Sequence, residues 1–514
     1  MSSAIPSSGV IGVVGAGAMG TGIAQLAAAA GHRVVLFDTR EGAAASACAS
    51  VRKVYASLVE KGRLSPEQAT TSSANLSAAN TLEDCRDAAL VIEAIVEQLD
   101  AKQQLFLSLE KIVSDTCILA TNTSSISVTA IAAKLAHPQR LVGMHFFNPV
   151  PLMQLVEVIS GLATSASVAD RIVATASAWG KLPVRATSTP GFIVNRVARP
   201  FYAEGLRLLL EQAADPATID AVMREAGGFR MGPFELMDLI GHDVNYAVTQ
   251  SVFDAYYHDP RFTPSIIQKE LLNAGFLGRK SGRGFYPYGE GAQPPSPQQL
   301  PACTESSESS EPVLNPSSVI GSIIAARLGA AGIAFGLMES GLSEAPLLMV
   351  DDASLYLTDG RSATLRAAEY GKPDTVLIDL ALDFEKTTRL AIAAADQCSA
   401  KALDAIAGVL QAAGYRVSLL RDVPGMAVMR TVAMLANEAA DAVNQGVCTA
   451  ADADLAMQKG VNYPLGPLAW AERIGVDTIL RVLQRLSEEY GEDRYRASPL
   501  LRRVVASGKR SFST

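Results

Sequence analysis

The chain has 514 residues, 49% hydrophobic and 19% charged. It is too long for one ordinary domain and too apolar for a disordered protein. A net charge of −8 argues against a nucleic-acid or general polyanion binder. The cysteines Cys48, Cys85, Cys117, Cys303, Cys398 and Cys448 are scattered, with no CxxC pair and no grouping with histidine. Free thiols in a reducing compartment and no metal site are the expectation. The opening MSSAIPSSGVIG has no basic region ahead of an apolar one, so no secretory signal is expected and the protein reads as cytoplasmic. Residues 9–31 carry no charge over a membrane's length, but their glycines suit a buried strand–turn–helix better than a span.

Residues 10–14 are a short β-branched run, the pattern of a buried parallel strand. It leads into Gly15-Ala16-Gly17-Ala18-Met19-Gly20, an Ala-rich helical stretch over 21–30, and a second strand over 33–37 that ends in Asp38. This is a dinucleotide-binding βαβ fingerprint in its required context. Gly15 permits the tight turn, Gly17 lets backbone approach a pyrophosphate, and Gly20 allows close helix–strand packing. The helix N-terminus offers amide N–H groups and the positive end of a dipole to phosphates. Asp38 stands where a carboxylate binds adenosine ribose hydroxyls and repels a 2′-phosphate, which favours NAD over NADP; Arg40 pulls the other way.

Helices are expected over 44–61, 98–113 and 170–179, and strands over 88–92, 117–120, 141–145, 155–159 and 181–185. In an open α/β sheet of parallel strands, ligands sit at the carboxyl ends of strands. Glu97, Ser124 and His145 all fall at such ends. His145 opens the run HFFNPVPLMQLVE, whose only carboxylate is Glu157. Pro149 and Pro151 break any helix between them, so the chain can turn back and bring the pair together. A histidine held by a carboxylate has a fixed tautomer and a supported imidazolium, as a general base needs. Beyond TPGFIVNR (189–196) the pattern changes to helices without strands, over 197–211, 216–226, 233–239 and 244–257. Asn195 is a polar residue at an apolar helix start, either a cap or facing a cleft.

These residues resemble the NAD-dependent L-3-hydroxyacyl-CoA dehydrogenases. The match rests on GAGAMG, VIEAIVEQLDAK (91–102), ATNTSSIS (120–127), GMHFFNPVPLMQLVEVI (143–159), TPGFIVNR, MGPFELMDLIG (231–241) and GRKSGRGFYPY (278–288). The resemblance implies a Rossmann domain followed by an all-α domain of the 6-phosphogluconate-dehydrogenase-like type. It implies that His145 takes the proton of the substrate's 3-hydroxyl, that Glu157 orients it, and that Ser124 and Asn195 hydrogen-bond the 3-oxygen. It implies NAD contacts at Gly15, Ala16, Gly17, Ala18, Met19, Gly20, Asp38, Glu97, Lys102, Asn148 and Lys280. Ser50, with Lys53 or Lys61, is implied near the CoA moiety of an acyl-CoA substrate.

Residues 290–318 are rich in Pro, Ser, Gln and Glu and read as a flexible linker. A shift of 234 residues then lays Pro424-Gly425 on Pro190-Gly191, Arg430 on Arg196, Glu438 on Glu204, Asp454 on Asp220, Gly466-Pro467 on Gly232-Pro233 and Gly475 on Gly241. The chain is therefore read as 1–188 NAD-binding, 189–289 helical, 290–318 linker, 319–420 a degenerate Rossmann-like α/β segment and 421–514 a second helical copy. The catalytic positions do not survive the shift: Asp379 replaces His145, Ala391 replaces Glu157 and Met429 replaces Asn195. The second copy is expected to be structural, replacing a partner subunit's helical domain, in a monomer or homodimer.

The duplicated form resembles the bacterial branch associated with phenylacetate degradation, which implies 3-hydroxyadipyl-CoA as substrate. A short-chain 3-hydroxybutyryl-CoA is the close competitor, and Arg52, Arg199 and Arg230 are the candidates for holding a distal carboxylate. An NAD-binding regulatory protein without chemistry is the alternative of another class, opposed by the intact set Ser124, His145, Glu157 and Asn195. A sugar-type or lambda-crystallin-like hydroxyacid enzyme is opposed by the HFFNPV run.

Overall fold

The computed structural model describes residues 3–302, 310–339 and 345–512. Cys303, part of the expected linker (303–309) and part of the degenerate segment (340–344) lie outside the described residues. The chain condenses into two compact units, one formed by Met1–Val197 with Ala442–Val461, the other by Ala198–Asp441 with Asn462–Thr514. No helix among the described residues is long and apolar enough to cross a membrane.

The first unit is built on eight strands: β1 (Val10–Val14), β2 (Val34–Phe37), β3 (Leu76–Ala78), β4 (Ala88–Glu93), β5 (Ile118–Thr121), β6 (Leu141–Phe146), β7 (Leu155–Ser160) and β8 (Leu182–Thr187). Their order is β3-β2-β1-β4-β5-β6-β7-β8. The central strands are apolar on both faces and fully covered, with Ile11, Val13, Leu90, Ile92, Leu119, Val142 and Met144 inaccessible to solvent. Each such side chain contributes roughly 1.5–3 kcal/mol of transfer free energy, which is why these runs show no polar alternation.

The sheet is not wholly parallel. β6 and β7 run antiparallel, with His145 directly opposite Glu157. The physical reason is the short 147–154 connection. A parallel pair needs a crossover of about a dozen residues or more, and Asn148-Pro149 turns the chain back well before that. The sequence also concealed a helix at Pro66–Ala74, capped by Ser65 and Gln68, and the three-residue β3, because both are short and largely polar.

The second copy contributes to this unit. Its helix Ala450–Gly460 lies against β8, β7 and the Val194–Val197 helix. A Cβ at Gly460 would stand 2.7 Å from Leu155 and 3.0 Å from Val194, so only glycine permits this approach. The Thr187 N–H donates to the Val447 carbonyl (2.9 Å), and Arg196 donates to Gln445 (2.9 Å).

The second unit holds a mixed sheet of β9 (Val313–Leu314), β10 (Gly336–Leu337), β11 (Leu348–Val350), β12 (Ala353–Leu357), β13 (Thr375–Ile378), β14 (Arg389–Ala394) and β15 (Arg416–Leu419), ordered β10-β9-β11-β12-β13-β14-β15. Neighbours from β12 to β15 pair parallel, antiparallel, parallel, as β5 to β8 do. The 234-residue shift maps one quartet on the other. Among the described residues, the half that carries the glycine turn in the first unit has no counterpart under this shift.

The first helical copy packs here. Helix Pro216–Glu225 lies on β14, Glu225 holds Arg389 and Arg416, and the Arg421 N–H donates to the Ala213 carbonyl (2.9 Å). Arg430 donates to Glu211 (2.8 Å). Shifting the Thr187–Val447 and Arg196–Gln445 contacts by 234 residues, with the copies exchanged, yields these last two. Each unit thus repeats, within itself, the same contact between its sheet side and the exchanged helical copy.

Asp379 shows what the second copy keeps. Its carboxylate accepts from the amides of Ala427, Val428 and Met429 (2.7–3.0 Å), gripping the turn in which Gly425 and Met426 are left-handed (φ 74° and 54°). Burial pushes the Asp379 carboxyl up to about 6, against the pull of these amides and that of Leu380. Asp379→Ala is expected to cost about 2–4 kcal/mol, because buried donors lose their acceptor. The pH sign follows from the raised folded value. The contribution of Asp379 is full below its ordinary value of 3.8 and declines as pH rises through about 6. Denaturant titrations from pH 4 to 7 should show this slope in the natural chain and not in the variant.

Candidate active site

The expected catalytic residues meet in the first unit. His145 Nδ1 lies 2.6 Å from Glu157 Oε2, both side chains being buried. An ionised carboxylate at Nδ1 fixes the proton there and leaves Nε2 as the lone-pair nitrogen. The ring packs at a tilt against Phe147 and Phe192, at centroid distances of 4.6 and 6.0 Å. The carboxylate and the two rings together fix the orientation of the imidazole, which is what a positioned base requires.

Glu157 has a second task that its spacing did not reveal. Its other oxygen, Oε1, accepts from the amides of Ile193 (2.9 Å) and Val194 (3.0 Å). These follow Gly191 and Phe192, consecutive left-handed residues at φ 75° and 47°; the second is costly for a side chain bearing Cβ. One carboxylate therefore orients the histidine and pins the turn that starts the Asn195 helix. Asn195 Nδ2 in turn donates to the Ser124 carbonyl (3.4 Å), tying two of the expected substrate contacts together.

The Ser124 loop hangs on Glu97. One oxygen, Oε1, accepts from Thr123 Oγ1 (2.5 Å), the Ser124 amide (2.9 Å), the Ser125 hydroxyl (3.0 Å) and the Ser125 amide (3.2 Å). Burial would raise the Glu97 carboxyl, but the Lys102 charge and these hydrogen bonds outweigh it and hold it below its ordinary range. Lys102 is buried, with its ammonium 2.6 Å from Glu93 and 3.1 Å from Glu97. Glu93 also accepts from the Thr121 hydroxyl (2.7 Å) and the Ile95 amide (2.8 Å). Sequence reading missed Glu93, although a carboxylate closing an uncharged strand was a signal that it is spoken for.

The glycine turn fits a dinucleotide. A Cβ at Gly15 (φ 107°) would meet the Ala94 carbonyl at 2.4 Å, and one at Gly20 the Gly15 carbonyl at 1.8 Å. Neither position tolerates a side chain. Gly17 faces open space and caps the Ala18–Ala29 helix, whose first turn holds no acidic residue. A groove of about 820 Å³ runs beside it, lined by Ala16, Gly17, Ala18, Ser50 and Asn148 among others. Lys53 and Lys61 are exposed and do not line it. Asp38 accepts from the Ala16 amide (2.7 Å) and pairs with Arg40. The Arg40 guanidinium, helped by the Ala16 and Arg40 amides and against the opposing effect of burial, holds the Asp38 carboxyl down at about 2. Lys280 lies in the second unit, on Asp243.

Comparison with known proteins accords with this geometry. The 3-hydroxyacyl-CoA dehydrogenase NAD-binding domain matches residues 10–189, and the C-terminal domain of the same family matches both 191–288 and 425–513. The chain belongs to the 3-hydroxyacyl-CoA dehydrogenases. Residues 355–424 match the reduced Rossmann-fold domain of 3-hydroxybutyryl-CoA dehydrogenase. The chain is 42% identical to 3-hydroxyadipyl-CoA dehydrogenase of Escherichia coli, over 98% of each chain. A solved structure titled 3-hydroxybutyryl-CoA dehydrogenase, also from E. coli, is 42% identical and superposes with a TM-score of 0.88, covering 98% of this chain and 100% of that one. The (S)-3-hydroxybutyryl-CoA dehydrogenase of Ralstonia eutropha is 38% identical with a TM-score of 0.54, and 55% of this chain accounts for 100% of it. The protein is thus an NAD-dependent 3-hydroxyacyl-CoA dehydrogenase, and the non-catalytic alternative falls away.

Proposed function

We propose that the enzyme oxidises (S)-3-hydroxyadipyl-CoA to the 3-oxo compound, and that residues of the first unit carry the chemistry. His145 Nε2 takes the hydroxyl proton as the C3–H bond breaks, and Glu157 stabilises the imidazolium that forms. Bound NAD supplies the hydride acceptor. Ser124 and Asn195 hold the 3-oxygen so that C3 is in line for transfer. Glu97, backed by Lys102 and Glu93, sets the Ser124 loop. Ser50 is proposed beside the CoA, since it lines the groove; Lys53 and Lys61 would act there only through long-range charge. Asn148, which lines the groove, is proposed as a further dinucleotide contact. The observation that carries the reading is the buried His145–Glu157 pair, whose free nitrogen has one function left to it.

The adipyl assignment rests on the full-length likeness to the E. coli enzyme of that name. The solved E. coli structure, titled for the butyryl substrate, favours the competitor. The deciding measurement is kcat/KM for 3-hydroxyadipyl-CoA against 3-hydroxybutyryl-CoA; a clear preference for the butyryl compound would overturn the proposal. The five sequence segments are proposed as units of descent, the two compact units as units of folding.

Cofactor choice supplies a further expected result. Asp38→Ser removes the carboxylate that would hold the ribose hydroxyls and frees Arg40 to meet a 2′-phosphate. The kcat/KM for NAD should fall about 10–100-fold, the worth of hydrogen bonds to a charged group. That for NADP should rise. Steady-state kinetics with both cofactors check it, and an unchanged ratio would remove Asp38 from the site.

A further inference from the structure

A cavity of about 190 Å³ in the second unit has apolar walls that include Leu206, Leu210, Phe262 and Ile266. That is on the order of six water-sized volumes, room for a carboxyl group and a few methylenes. Four arginines border it: Arg199, Arg207, Arg261 and Arg494. Three have carboxylates of their own. Arg207 pairs with Glu204, Arg261 with Glu438 and Asp441, and Arg494 with Glu492.

Arg199 has none among the described residues. It is only 6% exposed, yet its side-chain bonding is a single hydrogen bond to Thr249 Oγ1 (3.1 Å) and a stack on the Tyr202 ring, 4.7 Å from its centroid. Burial lowers the guanidinium's proton affinity, only partly offset by the nearby Tyr202 and Tyr463. A desolvated cation without a counter-charge is costly, and that cost is recovered when an anion enters with matching geometry. A guanidinium with free N–H groups suits the planar carboxylate. The competing candidates are less suited, since Arg52 is exposed on its helix and donates to the Leu76 carbonyl while Arg230 is exposed.

We infer that this cavity is a receptor for a short aliphatic carboxylate, with Arg199 as its anion-binding group. The ligand that this chemistry fits is a free aliphatic dicarboxylate held within the second unit.

The test titrates free adipate calorimetrically into the full-length natural chain, Arg199→Met, Arg199→Lys and Leu206→Trp. The natural chain is expected to bind adipate, Arg199→Met to bind it about 10–100-fold more weakly, and Arg199→Lys to restore part of the loss. Leu206→Trp, which fills the cavity and leaves the charge, should weaken binding as well. No binding to the natural chain, or binding that Arg199→Met leaves unchanged, overturns the inference.

Discussion

Replacing His145 with glutamine is expected to lower kcat by about 10²–10⁴-fold, the usual worth of a positioned general base, while NADH binds as before. Glutamine preserves volume and can still donate towards Glu157, so the grip of Glu157 on the Ile193 and Val194 amides persists and the fold should hold. What is lost is the lone pair on Nε2. Two measurements separate this from general damage: turnover with a 3-hydroxyacyl-CoA, and NADH affinity by fluorescence titration. Retention of a tenth or more of the natural kcat would remove His145 from the role of base. Glu157→Gln makes an instructive partner. It should lose activity and stability together, because the same side chain holds the histidine through one oxygen and the left-handed turn through the other.

That double role marks the limit of what was legible in the sequence. The glycine turn, the buried strands and the 234-residue repeat could all be read locally, since each depends on residue type at short spacing. The pairing of His145 with Glu157 was half-legible. Two prolines announced a reversal, but alternation of side chains is the same in parallel and antiparallel strands, so the register that sets the two face to face was not written in the pattern. Asp379 was read only as a lost histidine. The structure shows that it assumes the anchoring half of Glu157's work, accepting from the same three-residue turn in the second copy. Loss of the histidine and retention of the turn anchor are therefore separable, and the second copy has kept the anchor. The packing of 442–461 on the first sheet was invisible for a different reason. It is a contact between segments hundreds of residues apart, and helix propensity carries no address.

A chain ending at Glu290 is expected to fail as a soluble monomer, and this follows from where 442–461 lies. Val447, Ala453, Ala456 and Met457 are buried in the unit that carries the His145–Glu157 pair, and removing them exposes the faces of β7, β8 and the Asn195 helix that they cover. The lost burial is roughly 5 kcal/mol at the usual transfer coefficient, comparable with the whole stability of a typical domain. Arg196 and the Thr187 amide lose their partners in Gln445 and Val447. The reciprocal contacts indicate the remedy open to a shortened chain. Glu211 and Ala213 of a second copy stand, under the 234-residue shift, where Gln445 and Val447 stand here, so two short chains could supply to each other what this chain supplies to itself. The expected result is aggregation, or a dimer with restored activity, as judged by light scattering on a sizing column and by kcat of each fraction. Gly460→Val offers a milder form of the same test. Its side chain would press on Leu155 and Val194, lowering kcat and melting temperature while leaving the glycine turn untouched. A chain ending at Glu290 that stayed monomeric, soluble and fully active would mean that the second copy does not stand in for a partner.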